Sequence, residues 1–220
     1  MVSLGKIKKK MDNMAKKGTL SKLKQMDREF RRTLITDAAR ELFTQKTYDK
    51  VSMEEIANTA GIAKSSIYTY FKSQEELYAH ITYLDTSTFI DELKAAVEKS
   101  DENIIGNAID YYLDYNIANK SQWRMITHFA LHGTRNMESV DKLNVIGRQF
   151  MDLFETIFKK AGCITDTRLM AHTLFACLSG VLIAFRNYPG RSEQERVTHM
   201  KRIADQLSSI LATYIAAHKH

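Results

Sequence analysis

The sequence contains little glycine and almost no proline, with 9 glycines and the single Pro189 among 220 residues. These two residue types supply most of the tight turns that connect the strands of a β-fold. Their scarcity therefore excludes a many-stranded sheet and favours helices joined by short polar loops. We predict an all-α protein that is long enough to bury a substantial core.

Long apolar runs and paired cysteines are also missing. The longest apolar run, residues 173–185, includes Ser179 and Gly180 and is shorter than the roughly 20 residues that cross a bilayer. No apolar stretch follows the basic N-terminal segment, so a secretory signal is not indicated. The two cysteines, Cys163 and Cys177, form no C-x-x-C pair. The sequence predicts a cytoplasmic protein with no membrane partner.

Catalytic and cofactor signatures are absent from the sequence as well. It contains no nucleophile elbow, P-loop, dinucleotide fingerprint or H-E-x-x-H motif. His128 and His132 lie four residues apart, a spacing that suits two metal ligands, yet no carboxylate or cysteine completes a set nearby. We therefore predict a protein that is not an enzyme and that uses no metal or cofactor.

The positive charge is confined to one end of the chain. Residues 1–24 contain eight lysines and one acidic residue, Asp12, and so carry +7, whereas the other 196 residues sum to −1. The pI of about 9.2 thus describes one segment rather than a broad basic surface. We predict a flexible basic arm over 1–24, attached to an electrically balanced body.

Three helices are predicted at the start of this body. The first has apolar residues at helical spacing and ends near Gln45. Ser52 and Glu55 form a capping-box pattern at the start of the second, and Gly61 suits the left-handed conformation that ends it. The third is short and spans about 63–71.

The spacing within the last two helices is that of a helix-turn-helix. Such a unit needs a small residue at the helix crossing, a turn residue that tolerates positive φ, and an apolar anchor in the second helix. Ala57, Gly61 and Ile67 meet these requirements in order. On a helical wheel of 63–71, Ile67 and Phe71 share one side. The opposite face is polar and nearly neutral, with small hydroxyl side chains that suit a major groove.

Residues 28–77 resemble the DNA-binding domain of the TetR family of bacterial transcriptional regulators. The resemblance is carried by the run ITDAARELFTQKTYDKVSMEEIANTAGIAKSSIYTYFKSQEEL. It implies a homodimer of two-domain, all-helical subunits. It places Lys64, Ser65, Ser66, Tyr68 and Thr69 at recognition-helix positions. Tyr70, Lys72 and the capping Ser52 lie where family members often touch phosphates.

The remaining residues predict a larger helical domain. We divide the chain into the arm over 1–24, a helix-turn-helix domain over 25–73 and an effector-binding and dimerisation domain over 74–220. Aromatic residues between 102 and 158 suit either a pocket for an apolar or aromatic effector or an ordinary helical core. The pocket candidates are Tyr111, Tyr115, Trp123, His128 and Phe154, whereas Tyr112 and Phe158 are interpreted as core.

The sequence as a whole predicts a ligand-responsive repressor that binds a palindromic DNA operator and is released by a small effector. Helices over 166–187 and 192–217 would form the homodimer interface, or else pack within one subunit. Two alternatives stay open. One is a helical small-molecule-binding protein with a vestigial N-terminal unit, whose outward face would tolerate acidic residues. The other is an architectural DNA-binder that acts through the lysine arm without sequence preference.

Overall fold

The computed structural model describes residues 4–99, 103–133, 137–164 and 166–217. The regular elements in these ranges are helices, and no strand occurs in them, which confirms the all-α prediction. The chain divides into two units between Leu77 and Tyr78. Each unit is described by itself below.

Four helices begin in the first unit, and serine side chains cap two of them. The four are α1 (Leu4–Gln45), α2 (Met53–Thr59), α3 (Lys64–Ile67) and α4 (Gln74–Glu98), with a 3-10 turn at Tyr48–Lys50. The Ser52 hydroxyl caps α2 by accepting a hydrogen bond from the Glu55 amide at 3.1 Å. Ser73 caps α4 in the same way through the Glu76 amide. The Glu55 carboxylate pairs with Lys46, so it does not reach back as a capping box requires.

Helix α1 extends much further toward the N-terminus than the sequence predicts. It begins at Leu4, so the prediction of a flexible arm over 1–24 is wrong about secondary structure in the described part of that segment. Lysine, methionine and leucine dominate the segment, and all three are good helix formers. A glycine within a helix costs only about 1 kcal/mol relative to alanine. The lysine-rich sequence therefore continues the helix that the packed part of α1 establishes.

The core of the first unit is formed by all four of its helices. Its fully buried side chains include Ile35, Ala39, Ile56, Ala57, Ile67, Phe71 and Leu77. The turn between α2 and α3 depends on Gly61, whose φ of +67° confirms the prediction of a left-handed residue there. The Ile62 amide donates to the Ala57 carbonyl at 3.0 Å, which closes the turn over the small residue.

The second unit contains most of α4 and further helices, of which the last two agree with the helices predicted over 166–187 and 192–217 to within two residues. The further helices are α5 (Ile104–Ala118), α6 (Lys120–His132), α7 (Met137–Lys160), α8 (Thr167–Phe185) and α9 (Glu193–Ala217). Helix α8 packs against α7 and α9, and α5 packs against α9 and α7. Phe154 and Phe158 are fully buried in the core of this bundle.

Helix α8 is the most apolar helix in the described ranges. With 19 residues and a mean hydropathy of 1.6, it is long and apolar enough to cross a membrane by length and composition, a test that core helices of globular proteins also pass. One stripe of it is buried within the unit, at Ala171, Leu174, Leu178, Val181 and Leu182. Leu169 and Ile183 on the remaining surface are exposed. Helix α8 therefore has a face that packs within the unit and an apolar face that does not.

Candidate nucleic-acid interface and ligand cavity

The helix-turn-helix holds α3 on two buried anchors. Ile67 and Phe71 are fully buried, as the helical wheel predicts. The Arg32 guanidinium of α1 lies 4.5 Å from the centroid of the Phe71 ring and donates to the Tyr70 carbonyl at 3.2 Å. A buried ring with a cation over its face resists rotation of the segment. Packing against α1 therefore determines which residues between the two anchors face outward.

Helix α3 is shorter than the helix predicted over 63–71. Only Lys64–Ile67 is α-helical. The residues that follow form a tighter turn, in which the Thr69 amide donates to the Ser66 carbonyl at 3.1 Å in an i→i+3 bond. Tight turns of this kind are common at helix ends, and aromatic and β-branched residues are weak helix formers. The helical winding continues to the second anchor, so one outward face is kept.

Most of the predicted base-contacting residues are exposed on this outward face. Lys64, Ser65, Tyr68 and Thr69 are exposed, and Ser66 is half-buried. Tyr68 presents the largest side chain and is 47% exposed. Small hydroxyl groups and one aromatic ring leave room for a base edge and offer both donors and acceptors to it. The arrangement suits direct contact with DNA bases.

Lys64 is held by an ion pair in the free protein. Its Nζ lies 2.6 Å from a carboxylate oxygen of Glu54, and both side chains are more than half exposed. The hydrogen bond to Glu54 and its negative charge raise the pKa of Lys64. An ion pair in water is weak, so Lys64 can exchange the carboxylate for a phosphate at little cost.

The predicted phosphate-contacting residues flank this face. Ser52 is exposed, although its hydroxyl already accepts the α2 capping bond. Lys72 is exposed, and its amide donates to the buried Glu76 carboxylate at 2.7 Å, which fixes the backbone between α3 and α4. Tyr70 is half-buried. Of these three side chains, Lys72 is the one that offers a charge to a phosphate.

The second unit contains a cavity of about 340 Å³ that is bounded by α4, α5, α6, α7 and α8. Its wall is largely apolar, and its aromatic residues include Phe89, Tyr112, Tyr115, Trp123, Phe129 and Phe150. Phe89 and Tyr115 are in direct contact, with ring centroids 4.4 Å apart. A concave, mostly apolar space of this size is typical of small-molecule sites.

Two of the residues predicted to line a pocket, Tyr115 and Trp123, line this cavity. Tyr112, which the sequence analysis interpreted as core, is buried but lines the cavity as well. Its hydroxyl lies 3.4 Å from the Ser179 hydroxyl. Burial raises the pKa of Tyr112 to about 12, against the opposing effects of that hydrogen bond and of Arg186. Tyr112 is therefore a neutral phenol at physiological pH.

The other three predicted pocket residues lie elsewhere in the second unit. The Tyr111 hydroxyl donates to the Glu92 carboxylate at 2.9 Å near the surface, and Phe154 is fully buried in the core. The His128 ring stacks on that of His132, with centroids 4.7 Å apart, and no third metal-binding side chain joins them in the described ranges. Composition identified the aromatic region but not the cavity-facing positions, because consecutive helical residues point in different directions.

Three polar residues of α4 line the cavity and were not predicted. Thr82, Asp85 and Thr86 are buried, and they precede Phe89 at the spacing i, i+3, i+4 and i+7. That spacing marks one face of a helix, and a face turned to an ordinary core would be apolar. Polar side chains on this face were therefore the sequence signal for a cavity. Gln122 of α6 also lines the cavity and carried no comparable signal.

Two helices joined at Gly61, the second with an exposed polar face on buried anchors, define a helix-turn-helix domain of the kind that binds DNA. Residues 35–81 match the family model described as bacterial regulatory proteins, tetR family. This match and the regulators described next support a TetR-family transcriptional regulator.

The similarity to known regulators extends beyond this domain. An HTH-type transcriptional regulator of Staphylococcus aureus (strain bovine RF122 / ET3-1) is 26% identical over 157 residues, which cover 70% of this chain and 81% of that protein. The uncharacterized HTH-type regulator YhgD of Bacillus subtilis is 39% identical over 72 residues, about a third of each chain. A crystal structure of the transcriptional regulator FadR from Bacillus subtilis in complex with stearoyl-CoA has a TM-score of 0.65 at 18% identity, covering 82% of this chain and 97% of that one. The last similarity shows a common fold.

Proposed function

We propose that this regulator is a repressor that binds a palindromic operator as a homodimer and is released from it by a small apolar or aromatic effector. The observation that supports DNA reading is the exposed, acid-free face of Lys64, Ser65, Tyr68 and Thr69 above two buried anchors. Such a repressor acts on the bacterial chromosome, so we place it in the cytoplasm and assign it no catalytic step.

Helices α8 and α9 are the proposed dimer interface. Leu169 and Ile183 of α8 and Ile210 of α9 are each more than half exposed, and Tyr214 of α9 is also exposed. A second copy presenting the same two helices would bury these side chains in a four-helix arrangement with two-fold symmetry. Two helix-turn-helix domains carried by such a dimer read half-sites about 34–36 Å apart.

The cavity is the proposed effector site. Ligand binding there changes DNA affinity only if the ligand prefers the conformation whose recognition helices do not fit successive major grooves. FadR, which shares the fold, has been crystallised with stearoyl-CoA, and this supports a small-molecule ligand for the present regulator. An apolar or aromatic body is the ligand chemistry that the ring-lined wall supports.

A gel-shift titration with the promoter region of the regulator's own gene tests DNA reading. We expect a sequence-specific complex, and Tyr68→Ala to weaken it about ten-fold while binding to unrelated DNA changes little. Tyr188→Ala, which removes another exposed tyrosine from the second unit, is the matched control.

The two alternatives give different results in the same assay. A non-specific architectural binder would show a steep salt dependence, no preference for the promoter, and no change with Tyr68→Ala. A helical small-molecule-binding protein with a vestigial N-terminal unit would give no shift at moderate salt.

A further inference from the structure

A small cavity of about 90 Å³ lies where α8 ends and α9 begins, apart from the larger cavity of the proposed effector site. This turn cavity is lined by Phe185, Tyr188, Arg191, Arg196 and His199, none of which lines the larger one. Two of these side chains are cations, a third is an imidazole, and no carboxylate is among the described lining residues. A concave surface with charge of one sign attracts the opposite charge, so the turn cavity favours an anion.

Aromatic and backbone contacts hold the basic side chains of the turn cavity in place. The Arg191 guanidinium lies 5.4 Å from the centroid of the Tyr188 ring. The His199 ring meets the Phe185 ring edge to face, with centroids 4.8 Å apart. The Arg196 Nη1 donates to the Arg191 carbonyl at 2.6 Å, which folds this side chain back over the turn. Side chains that are already ordered lose less entropy when a ligand binds.

The acidic side chains at the start of α9 already have partners. The Glu195 carboxylate accepts hydrogen bonds from the amide and the hydroxyl of Ser192, each at 2.7 Å. These bonds are the main cause that lowers the pKa of Glu195, and the charge of Arg191 contributes least. The Glu193 carboxylate pairs with the Lys120 ammonium at 2.7 Å. Neither carboxylate is therefore bound to an arginine of the turn cavity.

The basic side chains of the turn cavity keep free donors. Arg191 and Arg196 form no ion pair with any residue that the structure describes. A guanidinium has five N–H donors in a planar fork, and Arg196 uses only its Nη1 within the described part of the protein. An imidazole carries an N–H donor in either protonation state, and the ring nitrogens of His199 bond to no described residue. Three side chains can therefore donate to one ligand.

The size of the turn cavity limits the ligand to a compact group. One water-sized group needs about 10–15 Å³, so 90 Å³ holds several such groups but no extended chain. A phosphate monoester has a charge of about −1.5 to −2 at neutral pH and three strong acceptor oxygens. These match two guanidinium groups and one imidazole, whereas a carboxylate has one charge and two oxygens. The chemistry of the lining therefore favours a phosphate group over a carboxylate.

We propose that the turn between α8 and α9 binds a phosphate group, as inorganic phosphate or as a small phosphomonoester, between Arg191 and Arg196 with His199 as a third donor. The planar fork of arginine fits two phosphate oxygens at once, which a lysine cannot do. This site is separate from the proposed effector cavity and does not depend on it.

Calorimetric titration of the full-length protein at constant ionic strength tests the inference. The ligands are inorganic phosphate, phenyl phosphate and benzoate. We expect both phosphates to bind and benzoate to bind at least about ten-fold more weakly. Tighter binding of phenyl phosphate would identify a phosphomonoester as the ligand, and equal affinities would identify inorganic phosphate. The single tryptophan, Trp123, lines the larger cavity, so we expect its emission to stay unchanged.

Arginine variants assign the binding to the turn cavity. We expect Arg191→Gln and Arg196→Gln each to lower phosphate affinity about ten-fold, because each removes a charged donor pair. Arg191→Lys keeps the charge without the fork, and its loss should be smaller. Arg202→Gln is the matched control, since it removes the same charge from an exposed position of α9 that does not line the turn cavity. Thermal unfolding of each variant checks that the bundle is intact.

Four results would overturn the assignment. They are no binding of either phosphate, benzoate binding as tight as that of the phosphates, an equal loss of affinity with Arg202→Gln, and a change in Trp123 emission that follows the titration. The titration contains no DNA, so a failure of the proposed repressor function would leave its result unchanged.

Discussion

The proposed DNA-binding surface and the proposed ligand cavity are encoded in opposite ways. The surface is formed by consecutive residues of one short segment, and two anchors four residues apart, Ile67 and Phe71, decide which side faces out. The cavity is assembled from five helices whose lining residues lie between Thr82 and Phe175. Local sequence spacing therefore predicts nearly all of the surface. The cavity lining cannot be predicted in this way, because it depends on how helices that are distant in the sequence pack together.

The largest expected effect is unfolding of the unit that carries the surface, while the unit that contains the cavity stays folded. Phe71→Ala removes a fully buried ring and the surface on which Arg32 rests, at a cost of about 3–5 kcal/mol. We expect urea unfolding of the first unit at lower concentration and loss of DNA binding. Emission of Trp123 should still report a folded second unit, since its core residues are its own.

Phe30→Ala is the matched control for this variant. Phe30 lies on α1 and is 62% exposed, so its removal should change stability by no more than about 0.5 kcal/mol. Equal losses for the two phenylalanines would show that burial of the anchor does not control the fold of the first unit.

The second-largest expected effect concerns the stability of the second unit at alkaline pH. Tyr112 has a pKa of about 12 in the folded protein against 10.0 for an ordinary tyrosine, and burial is the main cause. Because the folded pKa is raised, the stabilisation by the neutral phenol is full below about pH 10 and is lost as pH rises toward about 12. Tyr112→Phe should therefore flatten the alkaline fall in melting temperature, as followed by circular dichroism.

Tyr68→Phe is the control for the alkaline experiment, because Tyr68 is an exposed tyrosine of the first unit. We expect its alkaline melting profile to follow that of the unchanged protein. A profile for Tyr112→Phe that is indistinguishable from this control would show that the buried phenol carries no pH-dependent stability.

Sequence spacing was sufficient where short-range geometry decides the structure. The cap at Ser52, the left-handed turn at Gly61 and the anchor at Ile67 each follow from a residue type at a fixed offset, and each is present. The flexible arm is predicted from the lack of an apolar stripe, but the structure continues the packed helix α1 through this segment to Leu4, in keeping with its helix propensity. The position of Tyr112 on the cavity wall depends on α8 lying opposite it, which no local pattern records.

The smallest expected effect concerns the charge balance of the DNA-facing surface. Glu54→Gln removes the carboxylate that holds Lys64 at 2.6 Å and takes one negative charge away from the proposed DNA-binding surface. We expect DNA affinity to rise a few-fold, for operator and unrelated DNA alike, and the gain to shrink as salt increases. Glu41→Gln makes the same charge change at an exposed position of α1 and should raise affinity less. Equal gains from both variants would mean that net charge alone acts. A larger gain from Glu54→Gln would show that release of Lys64 adds a phosphate contact at the proposed base-reading face.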